Sequence, residues 1–446
     1  MTLALATASA QDGSAPLEIE TRAGRTAKRG LIAAWIVVLV LLLRHREVIS
    51  SDTLSNYVHV WFVADRFWHG GGVPFHMPVL AHGNALAFPY GFFPWMFAVL
   101  LWPLMGEWSV TLTLGVGFVG MVLATFWAFP ELRKGWWAAA ALINPAFVEG
   151  LLLGQLPFLW AAAMLLLAIG CWRRDRRGWA IVLAALAQIT HAPILVPMVG
   201  LLVIGWWRYE PDRRALGRAW LLSLIPALPA IYLVFASPVT SQTGMLWSIW
   251  VEIETLALRS LVLIVPFGLL ILQRRGTRPA APVVAAAVML LGQLVTIPIS
   301  GMAAGWGALN RGPDTATAAI PHAIPVKQGA TYRVLTFGDS KYGMYAVVRA
   351  GGRLDSEFFP ESINRRSFRD TGMYAKFLTE RKVEYVVVDY RYHRFHTNEQ
   401  ALLEAMAALS GNARCVDGLR VERTSQSATL TGYRIIRDCS APTPPN

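Results

Sequence analysis

The feature that most constrains this chain is a succession of apolar runs, such as "LIAAWIVVLVLLL" (31–43) and "LPFLWAAAMLLLAIGCW" (156–172), spread over its first 304 residues. A helix crosses a bilayer with roughly 20 mostly apolar residues, and helices satisfy their own backbone groups there. Spans are predicted at 31–43, 86–104, 109–129, 136–152, 156–172, 179–191, 193–207, 219–236, 256–273 and 282–304. Charged residues make up 15% of the chain, against about 25% in soluble domains, so the apolar surface needs a solvent other than water. Many of the tryptophans, among them Trp136, Trp137, Trp172, Trp179, Trp206 and Trp207, sit at segment ends, where an amphipathic ring suits the headgroup layer.

A formal charge of +12 raises the question of nucleic acid, and its placement answers it. Of the 21 Lys and Arg before residue 305, 17 fall in five clusters: Arg22 to Arg29, Arg133 with Lys134, 173–177, Arg208 to Arg218, and Arg274 to Arg278. Basic loops between apolar helices are the signature of the cytoplasmic side, so no nucleic-acid partner is expected. Residues 1–30 read as a disordered cytoplasmic tail, with the first apolar helix kept as an anchor. From residue 131 onward the alternation of sides is consistent. Three crossings before Arg133 would put the two ends on opposite sides, so either one segment in 31–130 is re-entrant or a crossing is missing.

Composition changes at "NRGPDTATAAIPHAIPVKQGA" (310–330), within a linker placed at 305–330. Residues 331–446 carry strand-like "YRVLTF" (332–337), "EYVVVDY" (384–390) and "ATLTGYRIIRD" (428–438), and helix-like "NEQALLEAMAAL" (398–409). A small extracytoplasmic α/β domain follows, containing Cys415 and Cys439. An exported compartment permits a disulfide between them, and two separate thiols fit the sequence equally well.

The first outer loop, 47–85, is unusually rich in ionisable groups. A helix over 52–68 would gather Asp52, Asn56, His59 and Arg66 within an arc of about 80°. Tyr57, Val60, Trp61, Ala64, Phe67 and Trp68 gather on the other side, which describes an amphipathic helix at the membrane surface. Asp52 suits a general base that takes a proton from an acceptor hydroxyl, and Arg66 suits a phosphate. Asp52 also stands where "SSDTLS" would supply a helix cap. Asp65, off the stripe, is expected in a structural ion pair. Away from the clusters, Arg259 is an ionisable group at membrane depth and a candidate contact for a donor phosphate.

Two stretches carry a family resemblance. "DRFWHGGGVPFHMPVLAHGNALAFPYGFFP", with an acid soon after the first helix, is similar to the first outer loop of GT-C glycosyltransferases. More narrowly, it resembles bacterial membrane proteins described as related to 6-pyruvoyl-tetrahydropterin synthase. "NPAFVEGLLLGQLPFLWAAAMLLLAIGCWRR", followed by "LAQITHAPIL", resembles the Asn-Pro and Gly-Gln segments of polyprenol-phosphate mannosyltransferases. The resemblance covers about residues 30–230. It implies a polytopic all-α membrane protein of GT-C type with about 10–11 transmembrane helices, together with the C-terminal soluble α/β domain. The implied activity is an inverting transfer of a sugar from a polyprenyl-phosphate donor to an extracytoplasmic glycan, lipid or protein acceptor. Asp52 matches the first-loop acid of the family, the proposed base, and Arg66 its outer-loop basic residues. Gln155 falls where polar groups approach the donor, and His191 where a basic residue is frequent. Asp52 is followed by Thr53 rather than a second acid, a departure from the paired form. No cofactor is expected, and a divalent metal stays open. The chain would lie in the cell membrane with its N-terminus cytoplasmic, among membrane lipids. The competing readings are a transporter or flippase of a lipid-linked glycan, with "LINPAF" and "ITHAPILVP" as broken helices, and a non-enzymatic assembly partner.

Overall fold

A computed structural model describes residues 21–48, 53–80, 85–86, 91–236, 245–275, 280–299, 326–335, 342–355, 368–389, 398–411, 415–426 and 430–437. The chain forms two compact units. One holds residues up to 46, 88–235 and 249–309, and the other holds 47–87, 236–248 and the chain from 310.

Helix α1 (Arg22–Arg44) opens the first unit, capped by Thr21, whose hydroxyl accepts from the Gly24 N–H. Residues 22–30, expected in the tail, are therefore helical: no proline separates the basic turns from the apolar run, the helix runs through Gly30, and Arg22, Arg25 and Arg29 stay exposed. Helix α2 (Thr53–Trp68) belongs to the second unit. The first unit resumes with α3 (Phe92–Met105), α4 (Trp108–Ala128), α5 (Gly135–Leu142), α6 (Pro145–Leu152), α7 (Leu156–Trp172), α8 (Arg177–Thr190) and α9 (Ala192–Trp207). After these come α10 (Arg213–Leu224), α11 (Leu228–Ala236), α12 (Met245–Arg274) and α13 (Ala281–Ile299). Four stretches among the described residues are long and apolar enough to cross a membrane: Arg22–Arg44, Trp108–Ala128, Arg213–Tyr232 and Leu256–Arg274. This is a membrane protein.

Contacts at helix ends bear on the expected span at 86–104. Lys28 Nζ donates to the Arg133 carbonyl (2.9 Å), joining the start of α1 to the turn after α4. At the other end, Arg46 Nε donates to Glu107 Oε2 (2.9 Å), joining the end of α1 to the start of α4. The two helices are thus antiparallel with matched ends. Helix α3 has 14 residues, about 21 Å of rise against a hydrocarbon core of about 30 Å. It begins where the Gly91 N–H donates to the Thr190 carbonyl, at the end of α8 remote from the basic loops, and finishes beside Arg46. Both of its ends lie away from Arg133. A helix with both ends there need add no crossing between α1 and α4, and the two basic ends would then share one side, as the charge rule expects.

The expected span 136–152 is broken into α5 and α6 at Ile143–Asn144. Pro145 opens α6, and Asn144 caps it by accepting from the Ala146 N–H (3.0 Å). Helices α4 and α7 pack closely along their lengths, with Gly117 under the Trp160 ring and Gly170 under the Trp127 ring.

The second unit is built on a mixed five-stranded sheet of order β4-β3-β5-β7-β6. Its strands are β3 (Thr331–Leu335), β4 (Arg353–Leu354), β5 (Tyr385–Asp389), β6 (Arg420–Gln426) and β7 (Leu430–Ile436). Strand β3 is parallel to β4 and β5, while β7 is antiparallel to β5 and β6. Helices α14 (Tyr342–Arg349), α15 (Thr371–Glu380) and α16 (Glu399–Gly411) complete it. Val386, Val388, Tyr433 and Ile435 from the sheet pack with Tyr374, Leu378, Leu403 and Met406 from the helices. Beneath them Arg333 is buried with both of its acids: Nη1 to Asp355 Oδ2 at 2.9 Å, and Nε and Nη2 to the two Glu399 oxygens at 2.7 Å. Burial works against this guanidinium, and Glu399 and Asp355 more than offset it, holding its pKa well above the usual arginine value. Cys415 is disulfide-bonded and Cys171 is a free, buried thiol, while Cys439 lies outside the described residues.

Part of the first loop is stitched into this unit. A short hairpin pairs β1 (His76–Met77) with β2 (Ala85–Leu86), and the Leu354 N–H of β4 donates to the Val79 carbonyl (2.8 Å). The apolar side of α2, expected to face the membrane, packs on α14 instead.

Candidate functional site

In the first unit, breaks in three helical runs bring polar groups together. Each break follows from local sequence. Pro145 and Asn144 separate α5 from α6. Gly154, at φ 71° in the left-handed region, separates α6 from α7 and leaves Gln155 as the N-cap of α7. His191, in "THAP", separates α8 from α9.

Across these breaks runs α12, and it supplies Arg259. Its Nη1 donates to His191 Nε2 at 3.1 Å. A guanidinium can only donate, so Nε2 must present its lone pair, which makes the imidazole an acceptor and not a cation in this arrangement. The Arg259 guanidinium also lies 5.3 Å from the centre of the Phe158 ring, and the Phe158 and His191 rings meet edge to face at 6.4 Å. Two residues further along α12, the Leu261 carbonyl accepts from Asn144 Nδ2 (3.0 Å), tying the helix to the α5–α6 break. Gln155, one turn before Phe158, is buried, and among the described residues its Oε1 has no hydrogen-bond partner; nor does Arg259 Nε.

The electrostatics of this cluster are unusual. Arg259 is 9% exposed, and no ion pair joins it to a carboxylate among the described residues. Moving a cation out of water costs several kcal/mol, and an aromatic face returns only about 2 kcal/mol when desolvated. Three other arginines of the unit do have acids: Arg46 has Glu107, Arg173 has Glu131, and Arg177 has Asp175 and Asp212. A buried, charged fork with a spare donor is suited to a planar or tetrahedral oxyanion.

Of the residues singled out in the sequence, His191 and Arg259 are therefore brought into contact, and Gln155 sits on the adjoining turn. The first-loop candidates belong to the second unit. Asp52 lies outside the described residues. His59 Nδ1 donates to the Ser55 carbonyl (2.6 Å), within its own helix. Arg66 is exposed near the end of α2, its guanidinium over the Phe62 ring at 5.7 Å. Asn56, expected on the polar stripe, is buried, as are Tyr57, Val60 and Ala64. Asp65 meets His69 one turn on, at 3.5 Å. Sequence spacing missed Phe158 and Asn144. The proline after Asn144 signalled the cap, but nothing local could signal an aromatic platform for a residue far along the chain.

No family model and no curated protein matches the chain, so neither supports the narrower resemblance to pterin synthase-related membrane proteins. Among solved structures, the chain is similar to ArnT from Cupriavidus metallidurans bound to undecaprenyl phosphate. Identity is 13% over 95% of this chain and 100% of that chain, with a TM-score of 0.48. It is also similar to the archaeal oligosaccharyltransferase AglB from Archaeoglobus fulgidus, in complex with an inhibitory peptide and a dolichol-phosphate. There identity is 11% over 82% of this chain and 70% of that chain, with a TM-score of 0.47. At such identity neither assigns an activity to this chain.

Proposed function

We propose that this protein is a membrane glycosyltransferase of GT-C type, moving a sugar from a polyprenyl-phosphate donor to an extracytoplasmic glycan, lipid or protein acceptor. The observation that carries the reading is Arg259: a cation buried among apolar helices and held, among the described residues, by an imidazole and a phenyl ring rather than by an acid. Its missing counter-charge is one that a lipid phosphate would bring. His191 orients the guanidinium by accepting from Nη1, Phe158 supplies a flat rest, and Gln155 offers a further polar contact.

In the proposed reaction Asp52 takes the proton of the acceptor hydroxyl as its oxygen attacks the anomeric carbon. The bond from that carbon to the phosphate oxygen breaks on the opposite face, so configuration inverts. The electron pair leaves with the polyprenyl phosphate, whose growing charge Arg259 stabilises. His59 and Arg66 would contact substrate from the first loop. No cofactor enters this scheme.

The test is transfer from radiolabelled polyprenyl-phosphate sugars in membranes, comparing wild type with Asp52→Asn and Arg259→Gln. The reading expects transfer by wild type, loss with Asp52→Asn at normal expression, and a raised donor requirement with Arg259→Gln. Transfer that survives Asp52→Asn moves the base elsewhere. Donor lipid that crosses the membrane without transfer would replace the enzyme with a flippase.

A further inference from the structure

The first loop contributes more than its polar stripe, because the second unit grips the start of α2 through one buried phenol. Tyr57 is fully buried, and its hydroxyl accepts from the Val48 N–H at 2.9 Å. That bond spans nine positions and returns the chain leaving α1 to the second turn of α2. The Tyr57 ring lies 5.9 Å from the Tyr345 ring of α14. On the same helix, the Arg349 guanidinium sits between the Trp61 ring (5.4 Å) and the Tyr345 ring (6.0 Å). Further along, the Val79 carbonyl is fastened to β4 by the Leu354 N–H. Helix α2 and the chain after it are therefore held by residues nearly three hundred positions away, and Tyr57 passes that hold back to Val48. Sequence gave α2 an apolar side, and the occupant of that side is α14.

We propose that Tyr57 is a positioning residue: through its hydroxyl and its seat on Tyr345, it holds Val48 against α2 and so fixes the placement of His59 and Arg66, the ionisable side chains that α2 carries. Arg349 acts with it by holding Trp61, one turn further on. A phenol suits this task because the ring satisfies an apolar seat while the oxygen satisfies a backbone donor that would otherwise be buried. The C-terminal domain thereby becomes the frame of the first loop. The catalytic part of this inference rests on the proposed transfer activity; the structural part does not.

The experiment is hydrogen–deuterium exchange on the full-length protein in lipid nanodiscs, comparing wild type with Tyr57→Phe, Arg349→Ala and Arg349→Lys. Tyr57→Phe keeps the ring and removes only the hydroxyl. It should raise exchange at 47–57 about fivefold, the factor that an ordinary hydrogen bond is worth, while exchange in β3 and β5 stays at the wild-type level. Arg349→Ala should raise exchange across α2, and Arg349→Lys should restore most of the protection. Unchanged exchange at 47–57 in Tyr57→Phe overturns the proposal, and so does an equal rise across the whole second unit, which would mark Tyr57 as ordinary core. Where transfer is measurable, Tyr57→Phe should lower kcat with KM little changed. If wild type transfers no sugar yet the exchange pattern holds, the enzyme reading fails and the positioning role stands.

Discussion

Two arginines are buried among the described residues, and their surroundings differ in kind. Arg333 has two carboxylates within hydrogen-bond distance, whereas Arg259 has an imidazole and a phenyl ring. Physical chemistry assigns them opposite behaviour on removal. Arg333→Met strands Asp355 and Glu399 without a cation, so it should destabilise the second unit by about 3–5 kcal/mol. The check is a fall in the thermal transition of that unit, together with raised exchange in β3. Arg259→Met removes a charge that no acid among the described residues balances, so the unliganded protein should unfold at the same temperature or higher. Donor affinity should nevertheless drop by about 10- to 100-fold, the worth of a charged hydrogen bond to phosphate. Thermal scans with and without polyprenyl phosphate read both effects. A variant at 259 that unfolds early and binds normally would make Arg259 a structural residue.

At the scale of elements, helix–helix approach is set by glycines with little room above them. A Cβ on Gly170 would meet the Trp127 ring at 2.3 Å and the Ala128 backbone at 3.2 Å, and the backbone cannot swing aside. Gly170→Ala should therefore separate α7 from α4 and cost about 1–3 kcal/mol. Gly268→Ala, in α12 with open space around it, should cost nothing. Fluorescence-detected thermal unfolding of the two variants makes the comparison. Most of the helices were legible because apolar runs and basic loops report burial and breaks directly: "NPAF" and "THAP" fall at true interruptions. The direction of α3 was not legible, since an apolar segment carries no sign of which end it returns to; nor was the pairing of α1 with α4, where the Arg46–Glu107 pair joins residues 61 positions apart. Strands β3, β5 and β7 were visible as β-branched and aromatic runs, yet their order, with β7 inserted beside β5, needed tertiary contacts. The site divides in the same way. Gln155, His191 and Arg259 could be singled out as costly polar groups in apolar surroundings. Their meeting could not be foreseen, because helical spacing relates residues only within one element, and His191 and Arg259 stand 68 positions apart.

For the whole molecule, the paired ends of α1 and α4 make a claim about sidedness. Lys28 reaches the Arg133 carbonyl at one end, and Arg46 reaches Glu107 at the other. If helix α3 adds no crossing between them, residues near Thr26 and Lys134 share one side, with Arg44 opposite. The clusters of Lys and Arg predict that the shared side is cytoplasmic by the positive-inside rule. Single cysteines at Thr26, Lys134 and Arg44 are read against the labelling of wild type, in which Cys171 is buried and Cys415 is already bonded. In intact cells, an impermeant maleimide should label the cysteine of Arg44→Cys alone. After permeabilisation, Thr26→Cys and Lys134→Cys should label as well. If Thr26→Cys and Lys134→Cys label on opposite sides, α3 crosses the membrane after all and the matched ends of α1 and α4 are not those of the native protein. Labelling on the same side also bears on chemistry: it would put Arg46 and the start of the first loop on the extracytoplasmic face, where a polyprenyl-phosphate donor and an exported acceptor could meet Asp52.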